Sequence, residues 1–368
     1  MDEPFEIFLA GTPGMEQLLA DEAQEAGFSG VAVVPGGVTL RGNWPDAWRA
    51  NLALRGASRV LVRMGAFRAF HLAQLDKRAR KFPWANVLRP QVPVRVDVTA
   101  RRSKIYHAGA ARERIARAIV EELGAPVSDE AMVRLLVRID DNLVTVSIDT
   151  SGEPLHRRGL KQAVGKAPLR ETLAALFLRA AGYAGSGAVL DPMCGSGTFV
   201  IEAAEIAAGL MPGRARRFAF EDLATFDAAQ WNRMKTSTPA GLPEARFFGS
   251  DRDDGAIASA RANAERAGIG GLCSFERRAV SDLARPEGPP GLVIVNPPYG
   301  ARIGDRKLLY GLYGALGAVL KERFAGWRVG LVTSDEALSR ATGLPWSPPG
   351  PLVPHGPLKV RLWQTAAL

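Results

Sequence analysis

The stretch VLDPMCGSGTFVIEAA, residues 189–204, decides the fold. A short apolar run ends at Asp191, a turn carrying Gly195 and Gly197 follows, and an apolar helix opens at Thr198. Strand, glycine turn and helix in direct succession place a ligand at the carboxyl edge of a parallel sheet. The two glycines leave no Cβ in the ligand's way and reach φ values other residues resist, while the first helical amides have no partner within the helix. Such an end suits an anion, and a methionine-type carboxylate fits there. The spacing is neither the GxGxxG dinucleotide fingerprint nor the GxxxxGK(S/T) phosphate loop.

Around this stretch, helical and strand patterns alternate as in a parallel α/β sheet: helix 167–182, strand 188–191, helix 197–208, strand ARFFGSD (245–251) and helix 254–267. A carboxylate at a strand end can accept both hydroxyls of a ribose, and Asp251 lies nearest the predicted terminus. Asp253 and Asp254 are alternatives, with helix capping the ordinary role for one of them. Cys194 has no histidine close in sequence, so packing in the turn is favoured over a nucleophilic role. Segments 210–245 and 284–291 are irregular or rich in Pro and Gly and read as loops or insertions between sheet elements.

A second motif stands about 100 residues downstream, GLVIVNPPYG at 291–300. A buried-type strand is stopped by Pro297 and Pro298, which fix φ and hold a short stiff loop at the sheet edge. An aromatic amine is a poor nucleophile because its lone pair is delocalised into the ring. Two acceptors aimed at its N–H groups, the Asn296 side-chain oxygen and the Pro297 carbonyl, would draw charge onto the nitrogen as the methyl bond forms. Tyr299 can stack on an extruded base, and proton loss can follow transfer without a strong base.

Upstream lie two α+β units. FEIFLA (5–10), a helix over 14–26 and a hairpin over 30–40 form one. The other runs from VPVRVDVTA (92–100) through the loop RRSKIYH and helix 109–123 to two strands joined at Asp141 and Asn142, which suit a tight reversing turn. Residues 1–40 hold seven acidic and no basic groups, whereas 41–161 hold 23 Lys and Arg against 12 Asp and Glu, so the middle of the chain is the candidate for a phosphate backbone. With 368 residues, 47% of them hydrophobic, two or three domains are expected. No run reaches the roughly 18 apolar residues of a membrane helix, and the acidic start is unlike a signal peptide, so a soluble cytoplasmic protein is expected. Cys194 and Cys273 are the only cysteines and lack metal-ligand spacing, so neither a metal site nor a disulfide framework is expected. Nothing points to an obligate protein partner.

These motifs resemble the class I S-adenosylmethionine-dependent methyltransferases, and the NPPY form resembles enzymes that methylate exocyclic base amines. TARRSKIYHAGAARERIARAI with VRLLVRIDDNLVTVSIDTSG resembles a THUMP RNA-binding domain preceded by a ferredoxin-like domain. LHRRGLKQAVGKAPLRETLAA, the FAGW at 324–327 and the late HGPLKVRL narrow the likeness to RlmL-type large-subunit rRNA guanine-N2 methyltransferases. It covers essentially the whole chain but only the first half of enterobacterial enzymes with a second methyltransferase domain, so that second activity is expected to be absent. The fold implied is α/β, a Rossmann-like class I methyltransferase domain over 156–368 preceded by α+β ferredoxin-like (1–65) and THUMP (66–155) domains. The resemblance implies S-adenosylmethionine as cofactor, held by Asp191, Met193, Cys194, Gly195, Gly197, Thr198, Asp251, Arg252 and Asp282, with Asn296, Pro297, Pro298 and Tyr299 at the target base. The family's usual acidic adenine contact is replaced here by Ala279, and either Asp282, one turn further on, or the loop backbone is the candidate substitute. Arg101, Arg102, Ser103, Lys104 and His107 are candidate RNA contacts. The implied partner is RNA, 23S rRNA or a large-subunit precursor. Alternatives are guanine-N2 methylation of transfer RNA, DNA adenine-N6 methylation, and a non-catalytic RNA-binding assembly factor.

Overall fold

The structure, a computed structural model, describes residues 4–161, 169–236, 243, 246–299 and 306–368. The chain divides into two compact units. One comprises the residues up to Gly11, Leu19–Leu155 and a segment beginning at Arg216; the other comprises Thr12–Leu18, His156–Ala215 and the remainder to Leu368.

In the first unit the elements are β1 (Phe5–Ala10), α1 (Glu16–Glu25, entering at Leu19), β2 (Ser29–Val34), β3 (Gly37–Gly42), α2 (Trp44–Ala53), β4 (Arg59–Arg68), α3 (Leu72–Arg80), β5 (Val94–Arg101), α4 (Ala108–Leu123), β6 (Val133–Asp140) and β7 (Leu143–Asp149). They build one seven-stranded sheet in the order β2-β3-β1-β4-β7-β6-β5. The two α+β units read from the sequence therefore share a sheet, because β4 pairs with β1 on one side and β7 on the other. Alternation makes the strands two-faced: Val133, Leu135, Val137 and Ile139 of β6 are buried, while Arg134 and Arg138 point the other way. Helix α4 covers the buried face with Ala111, Ile115, Ala118 and Ile119, at helical spacing, and ends at left-handed Gly124. Asp141 and Asn142 take φ of +49° and +61°, the conformation a two-residue hairpin demands.

The segment 210–245, expected as loops or insertions between sheet elements, carries regular structure in part, with 237–242 and 244–245 outside the described residues. Ala219–Asp222 forms a 3-10 turn and Ala228–Lys235 forms helix α7. Phe218, Phe220, Phe226 and Trp231 make an aromatic cluster with Trp48 of α2, so this segment belongs to the first unit's core. Apolar burial drives it there. The aromatics are spaced without helical or strand periodicity, which is why the pattern reads as loop.

The second unit contains α5 (Glu171–Ala180), β8 (Val189–Asp191), α6 (Thr198–Ala207), β9 (Phe247–Asp251), α8 (Asp254–Arg266), β10 (Cys273–Arg277), β11 (Leu292–Val295), α9 (Arg306–Arg323), β12 (Arg328–Thr333), α10 (Glu336–Ala341), β13 (Val353–His355) and β14 (Leu358–Gln364). The first residues of the predicted helix 167–182 lie outside the described residues. The sheet order is β10-β9-β8-β11-β12-β14-β13, with β14 antiparallel to β12 and the five strands from β10 to β12 parallel. Each face carries an apolar core. Leu292 and Ile294 of β11 enter one with Phe177, Phe199 and Phe247, whereas Val293 and Val295 enter the other with Tyr313, Phe324 and Trp327. An all-apolar strand is what burial on both faces requires. Among the described residues no helix is long and apolar enough to cross a membrane.

Candidate active site

From β8 the chain works outward through β9 to β10, then returns to β11 and proceeds to β12. Crossovers leaving in opposite directions open a crevice at the carboxyl ends of β8 and β11. The two sequence motifs flank it: the glycine turn follows β8 and NPPY follows β11. The strands are hydrogen-bonded neighbours, Leu292 opposite Val189 and Val293 opposite Leu190, so their ends stand about 4.8 Å apart.

On the β8 side, Gly195 has φ +53° and Gly197 φ +85°, both left-handed. Gly197 caps α6 without a side-chain hydrogen bond, which leaves the first amides of the helix available to an anion. A Cβ on Gly197 would stand 3.1–3.2 Å from Ala260, Ile201 and Phe275, whereas one on Gly195 would meet nothing within 4 Å among the described residues. Gly197 is thus packed from beneath and Gly195 open from above. The Gly195 amide donates to Asp251 Oδ2 at 3.0 Å, and the Asp253 amide to Asp251 Oδ1 at 3.0 Å. The strand-end carboxylate that sequence reasoning favoured is therefore tied to the glycine turn. Asp253 caps α8, accepting from the Ala256 amide at 2.7 Å, and Asp254 is exposed. This donor set fits S-adenosylmethionine: amides for its carboxylate and an oriented acid for its ribose.

Electrostatics separate the acids. Burial pushes the Asp191 carboxyl up to about 8, helped by the charge of Asp251 and opposed by the Met193 amide, which donates to Asp191 Oδ1 at 3.0 Å. Burial also drives the Cys194 thiol well above its ordinary range, and its sulfur lies against the Gly249 backbone. A thiol so held is packing. Arg252 and Asp282 are exposed, and Asp282 sits in a 3-10 turn in which its amide donates to the Ala279 carbonyl at 3.0 Å.

On the β11 side, Pro297 is buried and Asn296 Oδ1 is buried with no hydrogen-bond partner among the described residues. Tyr313 of α9, fully buried, donates to the Pro298 carbonyl at 3.2 Å. Asn296 Oδ1 is thus a buried acceptor at this edge that has no partner among the described residues. Tyr299 packs against both apolar cores, and its hydroxyl is hydrogen-bonded to His355 Nδ1 at 2.8 Å.

Other supporting residues had little sequence signal. Asn263 of α8 donates to the Ser196 carbonyl at 3.1 Å and fixes the glycine turn from below. Lys161 donates to Thr198 Oγ1 at 2.8 Å and pairs with Glu171 at 3.3 Å. Arg158 and Glu202 form a fully buried ion pair at 2.9 Å; the two glutamates inside the otherwise apolar run of α6 are the one sequence signal that could have found it. A cavity of about 440 Å³ lies on the sheet face between Leu190, Phe248, Glu276 and Leu283, and none of the predicted site residues lines it.

In the first unit, Arg101, Arg102 and Arg138 converge on Asp140, and their hydrogen bonds hold its carboxyl well below the usual range. Ser103 donates to the Arg101 carbonyl and accepts from the Asn142 amide, stapling this loop to the β6–β7 turn. Lys104 lies over Phe70, and Tyr106, 74% exposed, stands beside the His107 ring. A concavity of about 350 Å³ opens among Arg63, Arg68, Arg102 and Arg138.

A parallel sheet with this strand order, a glycine turn after β8 and NPPY after β11 define a class I methyltransferase. Family models agree: the RMKL-like methyltransferase domain matches residues 158–345, the RlmL ferredoxin-like domain 6–61 and the THUMP domain 70–149. The chain belongs to the RMKL-like methyltransferase family.

Among curated relatives, a ribosomal RNA large subunit methyltransferase K/L of Syntrophotalea carbinolica is 36% identical over 94% of this chain and 51% of its own length. The same-named protein of Allochromatium vinosum is 36% identical over 97% and 51%. The chain thus spans about half the length of the curated relatives it matches. Among solved structures, SMU.472 complexed with SAH superposes with a TM-score of 0.89 at 26% identity, covering 100% of this chain and 99% of that one. A predicted N6-adenine-specific DNA methylase from Listeria monocytogenes gives 0.88 at 29%, over 100% and 97%. TrmN from Thermus thermophilus, with a TM-score of 0.75 at 22% identity over 99% and 100%, shares the fold.

Proposed function

We propose that this chain transfers a methyl group from S-adenosylmethionine to the exocyclic N2 of a guanine in large-subunit ribosomal RNA. The names of the curated relatives support the substrate, and the SAH in a structural neighbour supports the cofactor. The observation that supports the chemistry is the Asn296 Oδ1, buried and without a partner among the described residues, at the end of β11, the strand that neighbours β8 and its glycine turn. An unpaired buried acceptor costs folding free energy, so it is retained where a ligand donor completes it.

When bound, the cofactor supplies an electrophilic methyl on a sulfonium. The residues of the chain do the rest. Thr198 and the next amides of the first turn of α6 face its carboxylate. Gly195 and Gly197 shape the turn that leaves room for it, their own amides being bonded to Asp251 and to the Cys194 carbonyl. Asp251 accepts from its ribose, and Met193, Arg252 and Asp282 border the adenine. Asn296 Oδ1 and the Pro297 carbonyl accept the two N–H groups of the guanine amine and raise the charge on nitrogen as it attacks. Pro298 keeps the loop rigid, and the Tyr299 ring stacks on the extruded base. Arg101, Arg102, Ser103, Lys104 and His107 contact RNA phosphates, with Asp140 as the counter-ion the RNA displaces from its arginines.

The test incubates the purified chain with labelled S-adenosylmethionine and, in parallel, deproteinised large-subunit RNA, transfer RNA and DNA from a deletion strain. The expected product is N2-methylguanosine in that RNA. Label confined to transfer RNA would move the substrate, N6-methyladenine in DNA would move the base, and cofactor binding without transfer to any nucleic acid would leave an RNA-binding assembly factor.

A further inference from the structure

We propose that His355 is a positioning residue for the transfer, fixing the plane of the Tyr299 ring on which the target base stacks. This rests on the reading that NPPY receives the base. The late stretch HGPLKVRL is far from the glycine turn and NPPY in sequence, yet its first residue reaches the catalytic loop. His355 ends β13 and pairs across the hairpin with Leu358 of β14, Gly356 at φ +62° opening the turn between them. Val353 and Val360, both fully buried, anchor the hairpin in the apolar core. From that anchorage the imidazole meets the Tyr299 hydroxyl, Nδ1 to Oη, at 2.8 Å.

The geometry is that of a ring held at both ends. The Tyr299 ring packs against residues of both cores, and Tyr313 pins the carbonyl of the preceding residue, Pro298. Two torsions would still let the ring tilt, and His355 takes the remaining freedom from its far end. The two rings are 6.5 Å apart at their centroids and inclined by 58°, so the imidazole grips the hydroxyl without stacking on the ring. A ring fixed before the base arrives loses less entropy on stacking, and a small tilt would move the amine away from its acceptors. The effect belongs to the arrangement of the complex, hence to kcat and to the RNA KM together, and leaves cofactor affinity alone.

Steady-state kinetics of the full chain on RNA test this, with His355→Phe, Tyr299→Phe, their double variant and His355→Asn, each with cofactor Kd measured alongside. His355→Phe and Tyr299→Phe should each lower kcat/KM for RNA by about 5-fold, the worth of one neutral hydrogen bond. The double variant should fall no further than either single one, since both remove the same bond. His355→Asn places an amide atom where Nδ1 stands, so it should recover most of the loss. Multiplying single effects, an Asn variant as poor as the Phe variant, or a shifted cofactor Kd would each overturn the inference. Asn296→Ala belongs in the same series. If it is slow while His355→Phe is normal, only the role of His355 fails; if both are normal, the reading of NPPY fails with it.

Discussion

Replacing Asn296 by Ala should move activity and stability in opposite directions. The Asn296 Oδ1 is buried without a partner among the described residues, and such a group costs about 1–3 kcal/mol against its hydrated state. Alanine removes that cost and also the packing of a small amide, worth about 1 kcal/mol. The net change lies between zero and about 2 kcal/mol of added stability, a rise in Tm of a few degrees for a unit of this size, at roughly 2–4 °C per kcal/mol. Catalysis should instead lose one acceptor that acts as charge builds on the amine nitrogen, about 2.7–4 kcal/mol, or 10²- to 10³-fold in turnover. Single-turnover methylation at saturating cofactor measures the second quantity, a thermal melt the first, and calorimetric titration shows whether cofactor affinity stays put. An alanine variant that turns over like the wild type while melting several degrees lower would show the side chain to be structural, and the reasoning would fall.

Glu202→Ala should destabilise the second unit by about 3–5 kcal/mol, because it leaves Arg158 buried without its carboxylate; a chemical-denaturation midpoint close to wild type would refute it. Asp191 holds a proton in the folded chain up to about 8 and sheds it near 3.8 when unfolded, so its contribution to stability is complete below the lower value and lost as pH climbs through the higher. Asp191→Asn escapes that loss, and its Tm relative to wild type should increase between pH 5 and pH 9; a constant difference would show the carboxyl ionised throughout. Asp140→Asn should raise RNA affinity at low salt by releasing Arg101, Arg102 and Arg138. Neutralising Arg101, Arg102 and Lys104 together should flatten the salt dependence of binding, and an unaltered slope in both variants would remove this loop from the RNA contacts.

The sequence by itself determined what short stretches of backbone dictate. A glycine pair between an apolar run and a helix has few conformations open to it, and Gly195 and Gly197 take the left-handed ones. Two prolines after LVIV end β11 where the ladder runs out of donors. Asp141 and Asn142 form the tight turn their side chains favour. The class of chemistry follows from these because each motif carries its own geometry.

The tertiary structure decided what depends on residues far apart in the chain. That β4 joins two expected units into one sheet, and that the aromatics from Phe218 to Trp231 pack beside Trp48, follow from apolar surfaces finding each other over long separations. Asn263 beneath the glycine turn and His355 on Tyr299 lie 67 and 56 residues from their partners. A hydrogen bond of that span leaves no periodicity or spacing to read. The burial of the Asn296 oxygen, without a partner among the described residues, is likewise invisible in NPPY, since only the packed surroundings settle whether a side chain meets water, a partner or neither.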